Sequence, residues 1–274
     1  MSGSRTARLL AYAGLAGYAL VSLYPFLWMV SGAFKDRLEI LRGGGLIPEA
    51  PTLATLTSTW SRLHFFDYFL NSLKVTGLTV AGVLVVYSLA SYAFAVLDFP
   101  GRRALFWMFV SLLFVPGITM LLPVVVLEKH LGILGTHLGL VLPFVNGTAP
   151  LTVLLLTNSF RAVPGELRDA ARCDGAGDLR IYLSVYLPLA RPAHVTVAVL
   201  TAVPTWNEYL LSRVSLSDPS RYTLPIGLES LISSEVPRYN EVMAASLIIV
   251  LPVVALFLFL QRYFVNGLVG ALKG

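Results

Sequence analysis

The chain has 274 residues, 56% of them hydrophobic and 13% charged, with a formal net charge of +5 and a mean hydropathy of +0.75. An average soluble domain is about 25% charged, so this chain lacks the charge to cover a single water-exposed core of its length. Its one cysteine, Cys173, excludes an intrachain disulfide, and no Cys/His group has metal-ligand spacing, so no metal site is expected.

Six uncharged or nearly uncharged apolar blocks follow in chain order, at 9–30, 75–97, 104–127, 138–160, 193–211 and 242–260. A bilayer-crossing helix needs about 20 such residues. The blocks do not alternate as β-barrel strands do, and a lone span must satisfy its own backbone hydrogen bonds. An all-α membrane protein with six transmembrane helices is therefore expected, as a single transmembrane domain over 1–274. The first block follows Arg5 and Arg8 and runs 22 residues through Tyr24, Pro25 and Trp28. A signal-peptide apolar core is ~7–15 residues, so a retained span is expected. The loop after it carries Gly43, Gly44, Gly45, Pro48 and Pro51, and then "TWSRLHFFDYF". That stretch reads as a short amphipathic element at the interface, with Trp60, Phe65, Phe66 and Tyr68 as belt aromatics.

The loops fix an orientation. One set (N-terminus, 97–103, 161–192 and tail) carries 11 Lys+Arg and 5 Asp+Glu, whereas the other carries 9 of each. Basic excess marks the inside, so the N- and C-termini and the 161–192 loop are expected in the cytoplasm. This asymmetry explains the net charge without nucleic acid. Pro25, Pro116, Pro123, Pro143, Pro150, Pro204 and Pro252 lie within five of the six spans. Each removes a backbone donor and kinks its helix, which suits a bundle that lines a cavity or changes shape. His64, His130, His137 and His194 fall near loop ends and read as solvated surface.

Glu208, in "PTWNEYLL" of the fifth block, is the one carboxylate expected deep in a span. Burying it there costs roughly 2.5–3.5 kcal/mol, so it should face the bundle interior or water. With Trp206 and Asn207 it fits a polar lining for a hydroxyl-rich solute, helix-to-helix glue, or a wet group near the outer end. Asn146, between Pro143 and Pro150, is a similar candidate.

The 161–192 stretch is the polar island of the chain, with four acidic and five basic residues between Arg161 and Arg191. Pro164 and Glu166 make a sound helix start. Gly175 and Gly177 interrupt that helix, and a second begins with Asp178 as cap and ends before Pro188. On the first helix Leu167, Ala170, Ala171 and Asp174 fall at i, i+3, i+4 and i+7, giving a shallow face that another protein's groove can seat, bordered by Glu166, Asp169 and Arg172.

At these residues the chain resembles the membrane subunits of bacterial ATP-binding-cassette importers, whose cytoplasmic signature is E-A-A-x3-G-x9-I-x-L-P. The aligned positions are Asp169, Ala170, Ala171, Gly175, Val185, Leu187 and Pro188, with Asp169 in place of Glu and Val185 in place of Ile. "NSLKV" at Asn71, "PTWNEYLL" at Pro204 and "RYFVNGLVGALKG" ending at Gly274 resemble the carbohydrate-uptake branch, the MalG-type permeases of maltose importers, and also actinobacterial sugar and amino-sugar importers.

The resemblance implies a coupling-helix hairpin between helices 4 and 5, seated on a cytoplasmic ATPase dimer through Glu166, Asp169, Ala170, Ala171, Asp174, Gly175, Leu187 and Pro188. It implies a tail (Gly270, Lys273, Gly274) reaching between the ATPases, a second homologous permease holding most of the sugar, and an extracytoplasmic solute-binding protein met by the 212–241 loop. On that reading the chain is a non-catalytic subunit in the bacterial inner membrane, surrounded by lipid. It binds no cofactor itself, while ATP and Mg belong to the partner ATPase. It lacks the G-x-x-x-x-G-K-[ST] loop that would hold ATP phosphates. Two alternatives stay open: the same machinery carrying a glycerophosphodiester or polyol, and a self-sufficient secondary transporter using Glu208.

Overall fold

The computed structural model describes residues 5–43, 45–62, 64–233 and 238–271, and every regular element among them is helical. In chain order, α1 is Arg5–Ala33, α2 Arg37–Leu41, α3 Ala54–Arg62, α4 Phe65–Val96, α5 Arg102–Ser111, α6 Leu121–His130, α7 His137–Arg161, α8 Gly165–Cys173, α9 Asp178–Ile181, α10 Leu187–Leu189, α11 Arg191–Trp206, α12 Leu210–Ser215, α13 Leu224–Ile232 and α14 Tyr239–Ala271. Short 3-10 turns at Leu112–Phe114, Gly117–Met120 and Pro219–Arg221 and a π-helical turn at Tyr182–Tyr186 join them.

Among the described residues, four helices are long and apolar enough to cross a membrane: Ala7–Ala33, Phe65–Val96, His137–Arg161 and Tyr239–Phe259. The count rises to six if each of two bent pairs is one span. Arg102–Phe114 and Gly117–His130 meet at 97°, and Asp178–Leu189 and Arg191–Trp206 meet at 78°. The block expected as one straight span at 104–127 is therefore broken. Val115 and Pro116 are both extended, with ψ of 116° and 124°. A proline denies its neighbour the helical region and supplies no N–H to bridge the gap. Pro25, Pro143, Pro150, Pro204 and Pro252 stay inside their helices.

The helix expected from residue 75 begins ten residues earlier, at Phe65. The stretch read as one interfacial element is split, with α3 ending at Arg62 and α4 starting after His64, whose φ of 55° ends helical geometry. Phe65 and Tyr68 are buried, not belt aromatics.

The chain divides into two compact units, one of Met1–Phe66 with Pro225–Pro252, the other of Asp67–Leu224 with Val253–Gly274. In the first, α1 is apolar all round and mostly uncovered, and its end packs through Ala33 and Met29 against Ala244, Leu247 and Leu56. Side chains tie down the described residues between α1 and α3. Buried Lys35 pairs with Glu39 at 3.6 Å, lies over the Trp28 ring at 5.3 Å and donates to the Gly45 carbonyl. Glu39 also accepts from the Glu49 N–H at 3.0 Å. A buried ion pair needs such extra hydrogen bonds to offset its desolvation.

The core of the second unit joins α4, α5, α7, the 161–192 hairpin and α11. Val83, Tyr87, Phe94, Phe106, Val153, Leu156, Ile181 and Val197 are all buried in one cluster. The apolar content that brings helices into a membrane thus also packs the hairpin's second arm onto the spans.

Candidate functional site

The hairpin is built from its backbone outward. Pro164, with φ −57° and ψ 130°, sits ahead of α8 as its cap residue. A proline there loses nothing, because the first helical N–H groups have no partner within the helix. At the other end the Ala176 N–H donates to the Ala171 carbonyl at 3.0 Å and the Gly175 N–H to the Arg172 carbonyl at 2.9 Å. Those two bonds form a Schellman motif, which requires a left-handed residue at its turn. Gly175 supplies it with φ of 79°.

Asp178 is not the cap of the second arm. Gly177, extended with ψ of 164°, takes that position, and the Asp178 carboxylate accepts from Arg172 at 3.0 Å, tying the two arms together. The second arm also does not end before Pro188. It passes through the π turn into α10, so Pro188 lies one residue before the arm's end at Leu189.

The face expected from spacing is divided. Leu167, Asp169, Ala170, Asp174 and Gly175 are exposed, as is Glu166. Ala171 turns inward with Ala176 and packs on the core. Leu187 and Pro188 are half-buried behind the hairpin, away from that exposed set, and Leu187 packs against the same core. The small exposed surface is therefore the outer side of α8 alone. Gly270 lies within α14, and Lys273 and Gly274 lie outside the described residues.

What holds the hairpin to the spans is a cluster of aromatic rings that spacing alone did not reveal. Tyr92 of α4 and Phe160 of α7 pack against Tyr182 and Tyr186 of the π turn. Centroids are 5.1 Å apart for Tyr92–Tyr186, 5.3 Å for Tyr92–Tyr182 and 6.0 Å for Phe160–Tyr186. Tilted and edge-on pairs of this kind add about 0.5–1.5 kcal/mol each beyond burial. His194, expected in solvent, is half-buried at the end of a polar chain. Its Nε2 is 2.6 Å from Ser88 Oγ, which is 2.8 Å from the Tyr182 hydroxyl, and its Nδ1 is 2.9 Å from the Ala190 carbonyl. A carbonyl only accepts, so Nδ1 carries a proton. With a neutral ring, Nε2 accepts from Ser88 and Ser88 from Tyr182. His137 is likewise half-buried, its Nε2 3.0 Å from the Arg221 carbonyl, whereas His64 and His130 are exposed.

Glu208 is not deep in a span. α11 stops at Trp206, and Glu208 lies in the break before α12. Its carboxylate accepts from the Leu211 N–H at 2.7 Å, the Ser212 N–H at 3.0 Å and the Ser212 hydroxyl at 2.8 Å. This is an anionic cap on a helix start, favoured by hydrogen bonding and by the helix dipole together. Asn207 donates back to the Val203 carbonyl at 2.8 Å, and Trp206 is buried edge-on against Phe69 at 5.8 Å.

Of these candidates, Glu208 and Asn146 share one cavity of about 590 Å³. Pro143, Pro150 and Asn146 of α7 line it, together with the broken third span at Val115 and Gly117. Trp206 and Asn207 do not line it. Asn146 is exposed, and its amide makes no hydrogen bond among the described residues.

Near the other end of α4, Asn71 Nδ2 donates to the Ser220 carbonyl at 2.9 Å and the Tyr222 carbonyl at 3.0 Å, and Ser72 Oγ accepts from the Leu224 N–H at 2.8 Å. These bonds clamp the start of the 212–241 loop to the span and give Asn71 its structural purpose.

Residues 82–269 match the family described as binding-protein-dependent transport system inner membrane component. The chain is 31% identical to the galactooligosaccharides transport system permease protein GanQ of Bacillus subtilis, over 97% of this chain and 95% of that one. It is 30% identical to the diacetylchitobiose uptake system permease protein NgcG of Streptomyces coelicolor, over 95% and 87%. Among solved structures it is similar in fold to a chain of a bacterial ABC transporter involved in the import of the acidic polysaccharide alginate, with a TM-score of 0.84, 24% identity, and coverage of 96% of this chain and 99% of that one.

Proposed function

This chain belongs to the binding-protein-dependent transport system inner membrane component family, and from that premise we propose that it is the permease subunit of an ATP-binding-cassette importer for an oligosaccharide. The observation that carries the reading is the hairpin. It offers Asp169, Ala170 and Asp174 on an exposed, shallow helix face, and its second arm packs through Tyr182 and Tyr186 on Tyr92 of α4 and Phe160 of α7. The sugar class is supported by relatives named for galactooligosaccharides and diacetylchitobiose.

In this reading the chain has six spans, the third broken at Pro116 and the fifth starting with α11, and both termini and the hairpin face the cytoplasm. The chain hydrolyses nothing itself. A cytoplasmic ATPase dimer binds ATP and Mg and receives α8 in a groove. Asp169 pairs there with a basic side chain, Glu166 and Asp174 border the contact, and Ala170 and Gly175 allow close approach. Leu187 and Pro188 act from behind by setting the second arm's position. The tail with Gly270, Lys273 and Gly274 adds a second contact. A homologous permease completes the pore, and an extracytoplasmic solute-binding protein delivers the sugar.

Asn146, with its free amide on the cavity, is the group offered to solute hydroxyls. Glu208 is committed to α12 by three hydrogen bonds, which speaks against a free proton or ion site and hence against a self-sufficient carrier. The test is co-purification of the ATPase with the tagged chain. Ala170→Trp and Asp169→Arg should each release the ATPase while both permeases stay paired in the membrane. Full retention of the ATPase by both variants would overturn the docking role.

A further inference from the structure

The hairpin's second arm has two faces of opposite character. Ile181, Tyr182 and Tyr186 are buried in the core, whereas Leu179 and Leu183 point away from it and are 64% and 53% exposed. With Leu187 these leucines recur at every fourth position, one above the next on a helical surface. They form one wall of a groove of about 570 Å³ whose other wall is Leu84 and Leu89 of α4. The Asp178–Leu189 arm meets α11 at 78°. If α11 crosses the bilayer, the arm lies close to the membrane plane, where an apolar face flanked by arginines is the mark of an interfacial helix.

One charged side chain lines the groove. Arg191 is exposed at the first residue of α11, at the bend, and makes no ion pair among the described residues. Arg180 is exposed beside Leu179 on the same arm. The nearby polar groups are already spoken for, since Ser88, Tyr182 and His194 bond to one another. Arg191 is thus the group in this lining left to bind a ligand's polar atoms.

We propose that this groove holds an anionic phospholipid, with its phosphate on Arg191 and an acyl chain along Leu84, Leu89 and Leu183. Guanidinium recognises phosphate by charge-assisted, often bidentate hydrogen bonds. Its apolar stem lies along hydrocarbon while its head stays at the headgroup level. The proposal needs these helices to cross a bilayer and is independent of the ATPase contact.

The test uses the complete importer complex, delipidated in mild detergent and supplied with phosphatidylglycerol or phosphatidylcholine, with bound lipid counted by native mass spectrometry. Phosphatidylglycerol should be retained in preference. Arg191→Gln should weaken its retention about tenfold, the loss expected for one charge-assisted contact. Arg191→Lys should keep most of it, and Leu183→Trp should exclude lipid while the complex stays assembled. Equal retention of the two lipids, or retention unchanged in Arg191→Gln, would overturn the proposal. So would efficient crosslinking of Leu183→Cys to the second permease, which would give the groove to a protein neighbour.

Discussion

Tyr92 on α4 and Tyr186 on the hairpin pack edge to face with ring centroids 5.1 Å apart. Their contact joins α4 to the π turn of the hairpin's second arm, so under the proposed coupling a push on the hairpin would reach α4 through packed rings. A π turn inside an otherwise α-helical arm is a feature often found at functional sites.

Tyr186→Ala should therefore separate docking from transmission. The loss of a buried ring costs about 3 kcal/mol and should lower the unfolding midpoint of the purified complex. The ATPase should remain bound while solute-stimulated ATP hydrolysis falls. Tyr186→Phe keeps the ring and should behave as the parent. Uptake unchanged in Tyr186→Ala would show that force travels elsewhere.

Gly175 is held at φ 79° with open space where a Cβ would go, so a substitution there is penalised through the backbone alone. Gly175→Ala should cost roughly 1–2 kcal/mol, and Gly175→Asn less, because Asn tolerates the left-handed region. The graded order Gly, Asn, Ala in thermal unfolding of the complex checks this. Equal stability of all three would mean the Schellman turn is not maintained.

Glu208 caps α12 through three hydrogen bonds, and on the proposed reading it carries no proton. Glu208→Ala should destabilise by about 0.5–2 kcal/mol, as loss of a cap does, and should lower uptake. Glu208→Gln retains one acceptor oxygen and should fall between. Neither should move the pH profile of uptake in reconstituted vesicles. A shifted profile would return Glu208 to the role of a titrating site.

In the 212–241 loop, Asp218 is held in its charged form by its own turn. The Ser220 backbone N–H, and then its hydroxyl, hold the Asp218 carboxyl below the usual carboxylate range, with Arg221 assisting. A depressed folded pKa means the stabilising contribution is present above the ordinary carboxylate value and is lost as pH falls through the depressed one. The protection factor of the Ser220 amide, corrected for the intrinsic pH dependence of exchange, should therefore fall on acidification across that window, and Asp218→Asn should abolish the change. A Ser220 amide indifferent to both would contradict the turn's hydrogen bonding.

The apolar spans were legible because hydropathy reports transfer into lipid, and uncharged runs of about twenty residues have few other uses. The hairpin was legible because Pro164, Gly175 and Gly177 are local backbone signals. Hydropathy does not register a break, so the 97° bend at Pro116 was hidden within a continuous apolar run. Pro143 and Pro150 share the same residue type yet remain within α7. Glu208 was read by its charge, whereas its role depends on the free N–H groups of a helix that begins two residues later. Tyr182 and Tyr186 sit at helical spacing in plain view, but Tyr92 and Phe160 reach them only through the fold, as Ser88 reaches His194. Ala171 shows the limit of face-reading on a short helix, since four positions on one stripe were divided between core and surface.

The native cysteine offers the most direct measurement. Cys173 is free and exposed on α8, three residues from Ala170. A membrane-impermeant maleimide should modify it in inverted vesicles and not in intact cells, and the assembled ATPase should protect it from that modification. Labelling from the outside, or labelling in inverted vesicles at the same rate with and without the ATPase, would contradict a hairpin that docks on the cytoplasmic motor.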